Sequence, residues 1–431
     1  MDLLFKYHSQ MSRPTRVRYA VLWLTVAVYM ITYMDRVVIS VATPKIREEF
    51  GFDLVTMGWI LASFRWAYSI FQIPGGWLGD TIGPRRALTL IVTWWSLFTS
   101  LTATAFSATS MIVIRFLFGM GEAGAFPTAT RSLSRWMLPN ERGYAQGVTH
   151  AGSRLGAAMT PPIVVALMAA YGWRTPFFVF GSLGVMWALV WYFYYRDTPD
   201  EHPGVNEAER ELIHSAWGGA TRQKVGGSVP WGKILRSQIL WCLAALYFCY
   251  QYSLAVYLDW FPTYLKEHRG FSLQQMGYFA ALPLLAGCVG DLLGGWWTDS
   301  LLKKTGDVKR ARRIVGMTGF LLGAGGIIPA TLTTDPYMCV AWSCLAFGAL
   351  ELTVAVSWAI PLDIAGDYAG SAAAVMNMTG NIGGALSPTM LAFFVNRYGW
   401  NVPFLVAAGL SVIGAIFYSR IDASRKIDGL S

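Results

Sequence analysis

The chain has 431 residues, of which 54% are hydrophobic and 14% are charged. Soluble domains average about 25% charged residues, so this composition excludes a soluble protein and predicts one embedded in a lipid bilayer. The net charge of +9 comes largely from lysines and arginines in short segments between apolar runs. That distribution sets membrane topology and does not indicate a nucleic-acid partner. The five cysteines lie in apolar runs without metal-ligand spacing, and no metal or other cofactor is expected.

Twelve apolar runs of about 20 residues, the length that crosses a bilayer, follow one another along the chain. They predict an all-α membrane protein with twelve transmembrane helices, near residues 19–41, 56–78, 87–106, 110–130, 144–170, 176–195, 238–262, 274–297, 314–332, 336–361, 370–395 and 402–418. The one long polar segment, 196–236, divides the chain into an N-terminal half of six helices, 1–195, and a C-terminal half of six helices, 237–431.

Basic residues predict which helix ends face the cytoplasm. They recur on one side of a twelve-helix topology, at Arg13, Arg16, Arg18, Arg85, Arg86, Arg131, Arg135, Arg142, Lys303, Arg313, Arg420 and Lys426 among others. Both termini and the central segment are therefore predicted to be cytoplasmic. The N-terminus lacks the features of a signal peptide, so the first helix is expected to remain in the mature protein.

Two sequence motifs occur twice at the same separation. GFDLVTMGW at 51–59 returns as GFSLQQMGY at 270–278, and GGWLGD at 75–80 returns as GGWWTD at 294–299, both 219 residues later. YGWRTPF at 171–177 returns as YGWNVPF at 398–404, at a separation eight residues longer. Parallel repeats in a twelve-helix membrane protein indicate a rocking transporter with its binding site between the halves, near the centre of the membrane.

The fourth apolar run contains two charged residues, Arg115 and Glu122, seven positions apart. This spacing is about two helical turns, so both side chains lie on nearly the same stripe of the helix. A charge at bilayer depth costs about 2.5–3.5 kcal/mol even on the mildest insertion scale. Such groups usually face a bundle interior and mark an ion or substrate path.

Further polar residues occur inside the N-terminal spans. They are Asp35 and Arg36 in the first span, Arg65, Tyr68 and Gln72 on one face of the second, and Ser153 and Arg154 in the fifth. The seventh span has no charge opposite Asp35 or Arg36, so the N-terminal half is expected to hold the ions. Four arginines against two carboxylates predict an anionic ligand. The alternatives are a structural ion pair between helices or, for Arg65 and Arg154, a gate or a snorkelling side chain near a helix end.

The segment between the second and third spans has the pattern G-x-L-x-D-x-x-G-x-R-R, starting at Gly76. It resembles the signature loop of the major facilitator superfamily. YMDR in the first span, WAYSIFQIPGGWLGD in the second and RFLFGMGEAGAFPTATR in the fourth resemble the anion:cation symporter family. That family includes bacterial galactonate, glucarate and hexuronate transporters and the vesicular glutamate and lysosomal sialic acid carriers.

The resemblance implies roles for individual residues. It assigns proton coupling to Asp35 and Glu122, and substrate binding to Arg36, Arg115 and Tyr68. Contacts that hold one face of the transporter closed are expected from the loop after the second span and from its C-terminal copy. The residues concerned are Asp80, Arg85, Arg86 and Asp299.

Several positions depart from that family. Where the galactonate transporter has a substrate-contacting glutamine in the fifth helix, this chain has Ser153 followed by Arg154. Arg65 occupies a place that is commonly apolar or aromatic. The seventh span offers Gln251 and Tyr252 but no arginine like the one in vesicular glutamate carriers.

Asn377 and Asn381 lie one turn apart among glycines in the eleventh span. Their amides could hydrogen-bond the hydroxyl groups of a substrate, or they could join neighbouring helices. Both residues are therefore candidate substrate ligands with a structural alternative.

The sequence as a whole predicts a monomeric secondary transporter in a bacterial inner membrane. Its expected substrate is an organic anion, a sugar acid or a similar carboxylate, imported with protons. The alternatives are an anion exchanger of the same fold, for example for organic phosphates, and a transporter-like sensor that binds an anion. An enzyme is not expected, because His150, the one histidine within a span, has no evident nucleophile or metal partner.

Overall fold

The computed structural model describes residues 13–138, 141–216, 230–365 and 368–427, apart from the side chains at positions 73, 80, 142 and 143. Within these ranges the chain is helical and contains no strand. The helices are α1 (Val17–Phe50), α2 (Leu54–Thr102), α3 (Ala108–Glu122), α4 (Ala125–Trp136), α5 (Arg142–Tyr171), α6 (Thr175–Tyr194), α7 (Glu207–Ala216), α8 (Trp231–Arg236), α9 (Gln238–Ala255), α10 (Phe261–Glu267), α11 (Leu273–Thr305), α12 (Val308–Leu332), α13 (Pro336–Ala365), α14 (Ala369–Tyr398) and α15 (Asn401–Arg420).

These helices account for the twelve predicted crossings. α3 and α4 together form one crossing, as do α9 and α10, which a π-helical turn at Val256–Trp260 connects. α2 forms two crossings, because Gly83 has a φ of 80° and interrupts its helical path. Among the described residues, ten helices are long and apolar enough to cross a membrane by length and composition. α14 and the part of α2 after Gly83 complete the twelve, while α7 and α8 belong to the central segment.

The repeated GFDL and GFSL motifs have the same structural role in both copies. Gly51 and Gly270 adopt positive φ angles of 68° and 73°, a conformation that glycine reaches without steric cost. Two residues later, the side chains of Asp53 and Ser272 accept hydrogen bonds from backbone N–H groups in the first turns of α2 and α11. Each copy therefore turns the chain and starts a long helix.

The repeated GGW motif permits close helix packing. A Cβ atom on Gly75 would lie 2.5 Å from the backbone of Gly124, the residue that caps the start of α4. On its counterpart Gly294, a Cβ atom would lie 2.2 Å from the carbonyl oxygen of Leu352 in α13. Any larger residue would push these helices apart, so the motif fixes α2 against α4 and α11 against α13.

The helices form two groups that meet along a few lines. α1–α6 pack among themselves, as do α9–α15, while α2 packs on α14 and α5 packs on α11. At the end where α1 finishes and α2 begins, Arg47 pairs with Glu267. Nearby, the hydroxyl of Ser40 donates to the carbonyl oxygen of Asp259 at 2.9 Å. Ser40 and Asp259 are 219 residues apart, so equivalent positions of the repeat touch across the boundary between the groups.

The central segment is attached to the N-terminal helices through Glu209 of α7. This buried carboxylate accepts hydrogen bonds from the backbone N–H groups of Val17 and Arg18 and from the hydroxyl of Thr15. It thereby caps α1, whose own preceding residue makes no side-chain cap. Arg18 also pairs with Glu141, just before α5, at 3.2 Å. Partial burial raises the pKa of Glu141, but hydrogen bonds from Tyr19 and Arg18 outweigh it and leave that pKa below its usual value.

Candidate functional site

A buried ion pair joins α1 to the end of α3. Arg36 contacts Glu122, and its Nε atom donates to Oε1. Glu122 is fully buried, and its other oxygen, Oε2, has no hydrogen-bond partner among the described residues. The spacing of Arg115 and Glu122 had predicted a charged stripe in this crossing, and the structure extends it to α1.

Aromatic side chains surround the guanidinium group of Arg36. The Cζ atom lies between 4.7 and 5.4 Å from the ring centres of Tyr33, Phe64, Tyr68 and Phe126. Cation–π attraction of this kind contributes about 0.5–2 kcal/mol per contact, more where water is excluded. The rings hold the guanidinium in place without neutralising its charge, so the cage keeps a cation ready for an anionic partner.

Asp35 contacts a different side chain from the one that its neighbour Arg36 contacts. Adjacent helical residues point about 100° apart, and Asp35 turns towards α2, where Trp95 Nε1 donates to its Oδ2 at 3.1 Å. Asp35 is fully buried, and its Oδ1 has no hydrogen-bond partner among the described residues. Asp35 and Arg36 therefore contact different groups, Trp95 and Glu122.

Arg115 is the least compensated cation of the cluster. It is 1% exposed, and its Nε and Nη1 atoms lack a hydrogen-bond partner within the described part of the chain. Its Cζ lies 4.2 Å from the ring centre of Phe118 and 5.4 Å from that of Phe64. Glu122, Asp35 and Asp259 interact with it electrostatically. Two buried N–H donors are thus free for a ligand with paired oxygen atoms.

Two further arginines pair with carboxylates from the C-terminal helices. Arg65 Nε in α2 donates to Asp259 Oδ2 in the π-helical turn at 2.8 Å. Arg154 Nη2 in α5 lies 2.9 Å from Glu351 Oε2 in α13. Both pairs cross the boundary between the two helix groups, so any opening along that boundary must separate them.

Asp259 and Glu351 correct the expectation that the N-terminal half holds the ions. The cluster contains four arginines, Arg36, Arg65, Arg115 and Arg154, and four buried carboxylates, Asp35, Glu122, Asp259 and Glu351. The predicted positive excess is therefore absent when every carboxylate is ionised, and it arises only when carboxylates take up protons. The expectation rested on the internal repeat, which aligns the first span with the seventh. It did not take account of the charged residue in the tenth span. There Glu351 is a lone charge in an apolar run, the same signal that had identified Glu122.

A chain of amides also crosses the boundary. Asn381 Nδ2 in α14 donates to Gln72 Oε1 in α2 at 3.2 Å. Gln251 Nε2 in α9 donates to Asn381 Oδ1 at 3.4 Å. The structure therefore brings together three predicted ligands from three helices. Asn381 joins helices here, as its structural alternative predicted, while its half-buried amide remains next to the cluster.

Three candidate ligands make no contact with the charged cluster among the interactions of the described residues. The hydroxyl of Ser153 donates to the carbonyl oxygen of His150 in its own helix. Tyr252 is buried with an unpaired hydroxyl, and its carbonyl oxygen accepts from Ser387 at 3.0 Å. Asn377 is half-buried one turn from Asn381. By contrast, Tyr250, which the sequence analysis passed over, donates from its hydroxyl to Glu351 Oε1 at 2.9 Å.

The predicted gating residues differ in their surroundings. The backbone N–H of Arg85 donates to Asp197 Oδ1 at 3.0 Å, and its Nε donates to the carbonyl oxygen of Tyr192. Arg86 and Asp299 are exposed, while the side chain of Asp80 lies outside the described residues. The signature loop is thus tied to the end of α6 through Arg85.

The family model described as Major Facilitator Superfamily matches residues 25–388 and 310–428. The protein named "Probable sulfoacetate transporter SauU" of Cupriavidus necator is 42% identical over 419 residues, covering 97% of each chain. The "Probable galactarate/D-glucarate transporter GudP" of Escherichia coli K12 is 32% identical and covers 96% of this chain and 95% of its own.

A D-galactonate transporter of Escherichia coli O6:H1 is 31% identical over 423 residues, covering 94% of this chain and 96% of its own. Among solved structures, a bacterial homologue of the human lysosomal transporter Spinster, in an inward-facing and unoccupied conformation, superposes with a TM-score of 0.78 at 17% identity. That match covers 96% of this chain and 98% of the other. The chain therefore belongs to the major facilitator superfamily and, within it, to the anion:cation symporter family.

Proposed function

We propose that this protein imports a small organic anion together with protons. Its relatives are named as transporters of sulfoacetate, galactarate, glucarate and galactonate, all of which are acids. The relative named for sulfoacetate is 42% identical over nearly the whole chain, against 32% for the galactarate/D-glucarate transporter. Sulfoacetate is accordingly the first substrate to test, with sugar acids next.

The observation that carries the proposal is the unpaired guanidinium of Arg115. A buried N–H donor without a partner costs about 1–3 kcal/mol, and more where the group is charged. The two unpaired donors of Arg115 therefore cost folding free energy, and they become favourable only when a bound ligand supplies acceptor oxygen atoms for them. Carboxylate and sulfonate groups match the fork of a guanidinium with two oxygen atoms.

The Arg36–Glu122 pair suggests how protons are coupled to this binding. While Glu122 is ionised, it occupies Arg36. When Glu122 takes a proton, Arg36 is released inside its aromatic cage and can bind the acid group of the substrate. Return of Glu122 to its ionised form would displace the anion on the other side. Asp35, equally buried, held by Trp95 and electrostatically coupled to Glu122, relays the proton to and from Glu122 in this scheme.

Alternating access follows from the contacts between the helix groups. By the distribution of basic residues, the end where α1 finishes faces outwards, and the termini and central segment are cytoplasmic. The pairs Arg47–Glu267 and Arg65–Asp259 then close the outer side, and must break when the cavity opens outwards. This orientation suits a plasma-membrane importer, with the bacterial inner membrane as its proposed location.

Uptake by purified protein in liposomes tests the proposal. We expect labelled sulfoacetate to accumulate when the outside is made acidic, about tenfold for each proton carried per unit of pH difference. Uptake that ignores the pH gradient but depends on a trapped internal anion would identify an exchanger instead. Binding of the acid without uptake under either condition would point to a sensor.

A further inference from the structure

The pair Arg154–Glu351 has no assigned role in the scheme above. Arg154 is 7% exposed and Glu351 is fully buried. Tyr250 connects them, since its hydroxyl donates to Glu351 Oε1 and accepts from Arg154 Nη2 at 3.2 Å. The Nε atom of Arg154 is buried without a hydrogen-bond partner among the described residues. Arg154 thus has an unpaired buried donor, as Arg115 has, and it pairs with a carboxylate, as Arg36 does.

Tyr33 places Arg154 close to Arg36. The ring centre of Tyr33 lies 4.9 Å from Arg36 Cζ and 5.4 Å from Arg154 Cζ, so the two guanidinium carbons are at most about 10.3 Å apart, the sum of these distances. The Tyr33 hydroxyl also accepts from Arg154 Nη1 at 3.4 Å. One aromatic side chain thus separates two guanidinium groups, each of which is held by its own carboxylate.

This upper limit on the separation of the two guanidinium carbons also limits the length of a ligand whose two acid groups can bridge them. A paired guanidinium–acid contact places the two central atoms about 4 Å apart. In sulfoacetate, the sulfur and the carboxylate carbon are bonded to the same carbon, about 2.7 Å apart. Two such contacts in line span about 10.7 Å, and a slight bend brings this within the limit. An extended six-carbon diacid, with its ends about 6 Å apart, is too long to bridge the two groups.

We propose that Arg154 binds the second acid group of a short dianion whose first acid group binds Arg36 and the unpaired donors of Arg115, and that a proton on Glu351 frees Arg154 for it. This inference rests on the proposed function and adds to it a second anion subsite and a substrate class. Each acid group replaces one carboxylate at its arginine. Two protons, one on Glu122 and one on Glu351, therefore enter with the two negative charges, and both are released to the cytoplasm.

The surroundings of both carboxylates are consistent with this exchange. The titratable groups that interact with Glu351 are Arg154, Asp291, Tyr250, Tyr247 and Cys288. Those that interact with Glu122 are Arg36, Arg115, Arg65, Asp35 and Tyr68. Around Glu351, Arg154 is the one cation among these groups. Asp291 also acts on it at longer range, but Glu351 is the carboxylate that contacts it directly, so a proton on Glu351 removes that contact.

Binding measurements with sulfoacetate and its two single-acid fragments, acetate and methanesulfonate, test the subsite. We expect the parent protein to bind sulfoacetate at least about tenfold more tightly than either fragment, because only the dianion engages both arginines. Arg154→Gln should reduce this ratio about tenfold. Arg312→Gln is the matched control, since Arg312 is also 7% exposed and also pairs with a carboxylate, that of Asp363, but lies outside the charged cluster, and it should leave the ratio unchanged.

Transport gives a second readout that does not need Arg154→Gln to fold. Parent protein should take up sulfoacetate without net charge movement, so a potassium–valinomycin potential should not alter its rate. Glu351→Gln loses one proton per cycle and should carry one negative charge inwards, so an interior-negative potential should slow it. Equal affinity for sulfoacetate and its fragments, or potential-independent uptake by Glu351→Gln, would overturn this inference while leaving the proposed function intact. Failure of the parent protein to bind any acid would instead refute the proposed function.

Discussion

Replacement of Arg115 tests the anion site most directly. The side chain is 1% exposed, and its Nε and Nη1 donors are unpaired among the described residues. Hydrogen bonds to charged groups contribute about 1.5–3 kcal/mol each, and truncating one partner of a desolvated charge pair costs about 2–5 kcal/mol. At about 1.4 kcal/mol per tenfold, Arg115→Ala should weaken sulfoacetate binding by about 30-fold or more.

Arg115→Lys refines that prediction, since it keeps the charge but loses the fork. We expect a loss of about tenfold, which is smaller than for alanine, because an ammonium group donates to one acid oxygen where a guanidinium donates to two. Isothermal titration calorimetry on the purified protein measures both variants. Arg397→Gln is the control, because this arginine is exposed at the end of α14 and its loss should leave the affinity unchanged.

A purely structural role for Arg115 makes a different prediction. If the arginine only neutralises buried carboxylates, then Arg115→Ala combined with Asp35→Asn would remove one charge of each sign and leave Arg36 paired with Glu122, and affinity for the acid would return. Recovery of parent-level affinity in that double variant would refute the assignment of Arg115 to the substrate.

Three further predictions concern coupling, topology and packing. Glu122→Gln should abolish accumulation driven by a pH gradient while counterflow of labelled substrate persists; accumulation equal to that of the parent would contradict its proton role. Single cysteines should be placed at Asp200 and at Asp53 in a background without native cysteines. An impermeant thiol reagent added outside intact cells should label only the cysteine at position 53, and labelling of position 200 alone would contradict the proposed topology. Gly75→Ala should lower thermal stability, because its Cβ would lie 2.5 Å from Gly124, whereas Gly76→Ala should have little effect, because its Cβ would meet its nearest atom at 3.5 Å. Equal loss of stability in these two variants would show that close packing of α2 on α4 is not the cause.

The fold was predictable because membrane-spanning helices can be recognised in a sequence by their length and apolar composition. The twelve spans and the repeat could be identified from the sequence, whereas the positive φ angles of Gly51 and Gly270 within the repeated motif became visible only in the structure. A charge in an apolar run is also a strong signal, since the bilayer penalises it. Arg115, Glu122, Asp35 and Arg36 were found in this way and do form one buried cluster.

Partners across the boundary between the helix groups were harder to predict. Which carboxylate meets which arginine depends on how α2 faces the π-helical turn and how α5 faces α13, and no local pattern encodes this. Asp259, for example, lies in an apolar run like Glu122, but its pairing with Arg65 is visible only in the fold. Tyr250 carries no charge and stands among several tyrosines, so only the fold distinguishes it from Tyr252.

The central claim is that an anionic substrate replaces buried carboxylates at their arginines as those carboxylates take up protons. Calorimetric titration with sulfoacetate in two buffers of different ionisation enthalpy counts the protons bound with the ligand. The account predicts net proton uptake that rises with pH towards about two per sulfoacetate, one for each acid group that displaces a carboxylate. Binding with no proton uptake at any pH would contradict it.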